Sequence, residues 1–104
     1  MTQLKTIEQL QDFLAENPNS IIFKHSTSCP ISARAYREFS MFTKNSTVHV
    51  AIVLVIESRP VSNYLAEIAN SVHQSPQVLF FREGKCYNNF SHNDITEKNI
   101  QTAL

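Results

Sequence analysis

The chain has 104 residues, 42% apolar and 17% charged, with nine basic and nine acidic side chains and a formal net charge of zero. That length and composition fit one globular domain, residues 1–104, able to bury its own core. Balanced charge leaves no electrostatic footprint for nucleic acid or for an anionic membrane, and no apolar run approaches the roughly 18 residues needed to span a bilayer. Met1-Thr2-Gln3-Leu4-Lys5 has no signal-peptide core, so a cytoplasmic location is the default expectation. Cys29 and Cys86 stand fifty-seven positions apart with no C-x-x-C pair, which is neither a disulfide framework nor a zinc pattern, and no metal site is expected. The single glycine, Gly84, excludes a glycine-rich phosphate loop.

In chain order, Ile7, Leu10, Phe13 and Leu14 recur at helical spacing and predict an amphipathic helix over Thr6 to Glu16, stopped by Asn17-Pro18-Asn19-Ser20. Ile21 to His25 reads as a short strand, apolar on both faces as in the middle of a sheet. A helix is predicted from Pro30 to Phe42, with Ile31, Ala35, Phe39 and Phe42 as its inward stripe. Val48 to Val55 is a second buried strand. Pro60 opens a helix whose core face is Val61, Leu65, Ile68 and Val72. Val78 to Phe81 and Cys86 to Phe90 form a hairpin around Arg82-Glu83-Gly84-Lys85, where glycine supplies a positive φ. A last helix runs to Leu104, with Asp94 and Glu97 spaced as a capping box. The order αβαβαββα describes an α/β fold with a central mixed four-stranded sheet, its first two strands parallel through a right-handed crossover.

The stretch Lys24-His25-Ser26-Thr27-Ser28-Cys29-Pro30-Ile31-Ser32 sits between strand and helix. Pro30 suits the first helical position, where an N–H would have no partner. Cys29, just before it, then faces unpaired N–H groups and the positive end of the helix dipole, which favour a thiolate over a thiol. Ser32 is either an ordinary first-turn serine or a hydroxyl that donates to the Cys29 sulfur. Lys24 and His25 either support the thiolate electrostatically or are a strand-end lysine and a partly buried histidine. Arg34 and Arg37 read as a solvated helix face. The topology brings Ser75-Pro76-Gln77 and Ser91-His92-Asn93-Asp94 to the same sheet edge as Cys29. Cys86 begins the last strand, about 13 Å from that edge, so it cannot resolve a disulfide at Cys29.

Four separated motifs, Phe23 to Ser32, Arg59-Pro60-Val61-Ser62-Asn63, His73-Gln74-Ser75-Pro76-Gln77 and Ser91-His92…Ile95-Thr96, closely resemble the monothiol bacilliredoxin family of the thioredoxin-like superfamily, over essentially the whole chain. One position departs from the pattern: an aromatic residue is expected after Ser-His, and Asn93 stands there. The resemblance implies a thioredoxin-like fold with helices on both faces of the sheet. It implies Cys29 as the nucleophile, supported by Pro30 and Ser32. Pro76, trans on base rates alone, is implied to be cis and to face Cys29, with Ser75 offering its backbone to the substrate. Ser91, His92 and Asp94 are implied to border the small thiol, whose carboxylate would meet the helix-start N–H groups. The activity implied is removal of bacillithiol from mixed disulfides on client proteins, with free bacillithiol as co-substrate and no permanently bound cofactor. Two other readings remain. One is an iron–sulfur carrier like the Cys-Gly-Phe-Ser monothiol glutaredoxins, from which Pro30 departs. The other is a non-catalytic adaptor binding extended peptides at the Ser75-Pro76 edge.

Overall fold

The computed structural model describes all 104 residues. Its elements are β1 (Thr2–Gln3), α1 (Ile7–Glu16), β2 (Ser20–His25), α2 (Pro30–Lys44), β3 (His49–Leu54), α3 (Arg59–Ala69), β4 (Gln77–Arg82), β5 (Lys85–Ser91) and α4 (Glu97–Ala103), with a 3-10 turn at His92–Asp94. The sheet is mixed and five-stranded, in the order β1-β3-β2-β4-β5. β2 and β3 are parallel, and β4 runs antiparallel to both β2 and β5.

The expected four strands are therefore one short. β1 pairs only Thr2 with Ala51 and Gln3 with Ile52, and the Leu4 N–H continues the ladder to the Ile52 carbonyl at 2.9 Å. Both strand residues are exposed, so no alternation marks them. Leu4, 1% exposed, draws the segment onto the sheet by entering the core.

α1 and α3 cover one face of the sheet, packing Leu10, Phe13, Val61 and Leu65 on Ile22, Ala51, Val53 and Leu79. α2 and α4 cover the other, where Ala35, Phe39, Phe42 and Ile100 meet Ile21, Phe23, Val78 and Phe80. β2 lies between these layers and all six of its residues are buried, as its sequence predicts. Successive β2 side chains go to opposite faces, which sends Lys24 towards α3 and His25 towards α2.

Two predicted stripes need correction. On α2, Ile31 is 44% exposed, and the inward residue of the first turn is Ser32, fully buried. A face through Phe39 and Phe42 extends back to Ala35 and Ser32 at helical spacing, while Ile31 turns outward beside Cys29. On α3, Val61 and Leu65 are buried but Ile68 and Val72 are exposed. The helix stops at Ala69 because Asn70 adopts a left-handed conformation (φ 50°), so Val72 lies in the following loop. The hairpin forms as expected, with Glu83 and Gly84 both at positive φ, the signature of a two-residue type I′ turn. It is anchored by Glu83 N–H to Asn19 Oδ1 and Gly84 N–H to the Pro18 carbonyl, both at 2.9 Å.

α4 starts two residues later than the Asp94 cap predicts. Thr96 is its N-cap, its hydroxyl accepting the Asn99 N–H at 3.1 Å. Asp94 closes the 3-10 turn instead, and that turn places Ile95, 2% exposed, beneath α2.

Candidate active site

β2 ends at His25, and three residues carry the chain to Cys29, the N-cap of α2, with extended backbone (φ −110°, ψ 123°) and Pro30 opening the helix. The Cys29 carbonyl accepts the first helical bond from Ala33 N–H at 2.9 Å. Its side chain accepts no capping hydrogen bond, and the thiol is free and half-buried. Polar residues of the loop hold each other, with Ser26 Oγ and Ser28 Oγ 3.3 Å apart.

Ser32 is not turned to the sulfur. Its Oγ accepts the Ser26 N–H at 2.9 Å and lies 2.7 Å from His25 Nδ1. The serine closes the loop onto β2, and its hydroxyl makes no hydrogen bond to Cys29. His25 is 8% exposed, its ring packed beside those of Phe23 (5.5 Å between centroids) and Tyr36 (5.0 Å), which also lie against each other at 6.3 Å. Burial pushes its pKa down, and the Glu57 carboxylate acts in the opposite direction. The sequence registers His25 and Ser32 separately; seven positions apart, they become a pair only once the loop folds back.

The Ser75-Pro76 peptide is cis. Lys24 pairs with Gln77 across the β2/β4 ladder, which puts this proline at the Cys29 edge. The Pro76 carbonyl accepts the His92 N–H at 3.1 Å, and Gln77 pairs with Ser91, so these two walls are bonded to each other. Ser75 Oγ is buried without a partner. His92 has a left-handed backbone (φ 54°). Asn93, where the family pattern has an aromatic residue, accepts from Arg34 Nη1 at 3.0 Å through its Oδ1. That bond ties α2 to the loop and gives Arg34 a partner that a solvated-face reading misses.

The sequence places Gln77 at the Cys29 edge but does not register what its side chain does there. It is 1% exposed, and its Nε2 donates to Ser71 Oγ (3.3 Å), the Val72 carbonyl (3.4 Å) and Asn89 Oδ1 (3.3 Å). Its Oε1 accepts the Gln74 N–H at 3.3 Å. One amide thus holds the loop that leads into Pro76.

Lys24 points away from Cys29. It is fully buried on the α3 side, with its Nζ 3.0 Å from His73 Nδ1, which also lies 3.2 Å from Ser62 Oγ. Burial lowers its pKa to about 8. Cys86 is the second residue of β5, at the far end of the sheet, its thiol donating to the Asn88 carbonyl at 3.5 Å, and burial raises its pKa. Two concavities of about 290 and 340 Å³ also lie at that far end, the first beside Ser20 and Arg82, the second beside Thr2 and Asn17, and neither touches Cys29. Ile31 in the first turn of α2, Ile56 after β3 and Val72 after α3 are exposed.

Comparison with known proteins bears on the family and the fold. A family model described as "Monothiol bacilliredoxin BrxC" matches residues 2–100. A solved structure described as having a thioredoxin fold superposes with a TM-score of 0.94 at 33% identity, covering 98% of this chain and 91% of its own. Thioredoxin from Fasciola hepatica matches at 19% identity and TM-score 0.82, with coverage of 99% and 95%. Mitochondrial thioredoxin 3 from Saccharomyces cerevisiae matches at 12% identity and TM-score 0.80, with coverage of 100% and 92%. The last two share the fold. No helix is long and apolar enough to cross a membrane. The chain belongs to the monothiol bacilliredoxin family, and that membership, on a thioredoxin fold, gives it a role in thiol redox chemistry.

Proposed function

We propose that the protein is a monothiol thiol–disulfide oxidoreductase that removes bacillithiol from client proteins, with residues 1–104 acting as one thioredoxin-like domain in the cytoplasm. The observation that carries the reading is a free, half-buried thiol at the start of α2, with the molecule's other cysteine at the opposite end of the sheet. In this scheme the Cys29 thiolate attacks the bacillithiol sulfur of a client mixed disulfide. The old S–S bond breaks, the client leaves as a thiolate that takes a proton from solvent, and Cys29 is left carrying bacillithiol. A free bacillithiol thiolate then attacks that bacillithiol sulfur, Cys29 departs as a thiolate, and oxidised bacillithiol is released. One disulfide is consumed and one formed: the client sulfur is reduced to a thiol, the sulfur of the incoming bacillithiol is oxidised into the released disulfide, and the enzyme ends unchanged. Pro30 fixes the helix start beneath the thiol. Ser75 and Pro76 form one wall of the reaction face, and Ser91, His92 and Asp94 a second. Bacillithiol is a co-substrate, and no permanently held cofactor enters the cycle.

The test is incubation with a bacillithiolated client, read by intact mass. Wild type and Cys86→Ser are expected to gain one bacillithiol each while the client loses its own, and Cys29→Ser gains none. An adduct that persists in Cys29→Ser, or one that requires Cys86, overturns the reading.

A further inference from the structure

His25 and Ser32 form a buried pair behind Cys29 that the exchange scheme leaves unused. A serine hydroxyl has one proton and two lone pairs, and a neutral imidazole has one bare nitrogen and one N–H. One lone pair of Ser32 Oγ is filled by the Ser26 N–H at 2.9 Å. The 2.7 Å contact with His25 Nδ1 takes either the Ser32 proton or its second lone pair. When Nδ1 is bare, Ser32 donates to it. When Nδ1 carries a proton, both lone pairs of Ser32 are filled and its own proton must find another acceptor. Cys29 is the N-cap of α2 and Ser32 is the third residue of the helix, the two positions that face each other across the first turn in a capping box, where each side chain can reach the other residue's backbone. The acceptor on that turn is the Cys29 sulfur, which has no capping bond of its own; Ser32 makes no bond to it in the resting structure, so the hydroxyl turns to it only when Nδ1 is protonated.

We propose that His25 acts as the base for Cys29, working through Ser32. The Cys29 thiol passes its proton to Ser32 Oγ while Ser32 passes its own to His25 Nδ1. The products are a thiolate that accepts a hydrogen bond from Ser32 and an imidazolium at His25. One proton is displaced at each end, no bond between heavy atoms changes, and the reverse step restores the resting thiol. The same hydroxyl steadies Cys29 when it departs in the second half of the cycle. The groups facing His25 are the Phe23 ring of β2, Ser32 and the Tyr36 ring of α2, and the Glu57 carboxylate beyond β3. Glu57 favours the imidazolium and so opposes the effect of burial. The inference rests on Cys29 being the reactive thiol of the proposed function but does not require that the small thiol be bacillithiol.

The experiment is the rate of Cys29 alkylation by iodoacetamide from about pH 5 to about pH 10, in a Cys86→Ser background that leaves one thiol to read. His25→Asn keeps an acceptor towards Ser32 but cannot take a proton; Ser32→Ala removes the link. Both are expected to slow alkylation near neutral pH by roughly tenfold or more and to converge with the parent at the alkaline end, where the thiol ionises unaided. An unchanged His25→Asn profile overturns the proposal. So does slowing in His25→Asn with none in Ser32→Ala, which would mean an effect through space, or equal slowing at every pH, which would mean altered packing. If circular dichroism shows Ser32→Ala unfolded, the parent protein decides: the NMR titration of His25 must move when Cys29 is alkylated, and a titration that stays put refutes the relay. Because iodoacetamide is the probe, failure here is distinct from failure to form a bacillithiol adduct.

Discussion

Lys24 places an ammonium in a fully buried position, where Nζ has a neutral imidazole beside it and no carboxylate. Taking a charge out of water is costly unless it is paired, and the lowered pKa of about 8 expresses that cost. The unfolded chain holds this proton up to its ordinary value of 10.5. Between those values the unfolded state binds more protons than the folded one, so this lysine makes stability rise with pH across the window. Below it, both states are charged and the burial cost is present in full. Lys24→Met is therefore expected to stabilise the protein at neutral pH by about 1–3 kcal/mol and to flatten the rise between the two values; Ser62 and His73 remain to satisfy each other. Urea unfolding of both proteins at neutral and alkaline pH checks this, and a destabilised Lys24→Met at neutral pH contradicts it. Single residues such as this were the least legible from sequence. Lys24 and His25 are consecutive polar residues in an apolar strand, and only the strand's position between two helical layers decides that one faces His73 and the other Ser32.

Elements were legible wherever a period repeats, and failed where one residue decides a boundary. Phe39 and Phe42 identify the inner face of α2, but its first turn is set by the loop closure through Ser32, which leaves Ile31 outside. At α4, Asp94-Ile95-Thr96-Glu97 offers two possible caps, and the Asp94…Glu97 spacing favours the wrong one. Burial of Ile95 wins: a 3-10 turn at His92–Asp94 brings it under α2, and the helix then begins at Thr96. Glu97 does not reach back to close a capping box; its own N–H donates to Glu38 Oε1 on α2 at 2.9 Å. Thr96→Ala is accordingly expected to cost about 1 kcal/mol, while Asp94→Ala stays within about 0.5 kcal/mol of wild type. Thermal unfolding of the two variants separates the caps. The reverse order of effects would restore Asp94 as the cap.

At the scale of the whole molecule the sheet acts as a spacer between the two thiols, and this was legible because strand direction follows from connection length. A crossover helix makes β2 and β3 parallel, and a two-residue turn makes β4 and β5 antiparallel. Cys29 must then follow the carboxyl end of β2, while Cys86 pairs with Phe81, which pairs with Ser20 at the other end. The five steps from Ser20 to His25 amount to about 16 Å of strand. A disulfide needs Cα atoms within about 7 Å, so no local rotamer change closes that gap. β1, invisible in the sequence, does not alter this, since it adds to the β3 edge and leaves both cysteines where they were. Diamide treatment of the reduced protein is therefore expected to produce no monomer lighter by two hydrogens. The oxidised products should be mixed disulfides or dimers through Cys29, unchanged in Cys86→Ser and absent from Cys29→Ser. Intact mass under non-reducing conditions reads all three proteins directly. An internally oxidised monomer would mean that β4 and β5 separate from β2 in the folded protein, and the dependence on an external thiol would fall with the topology.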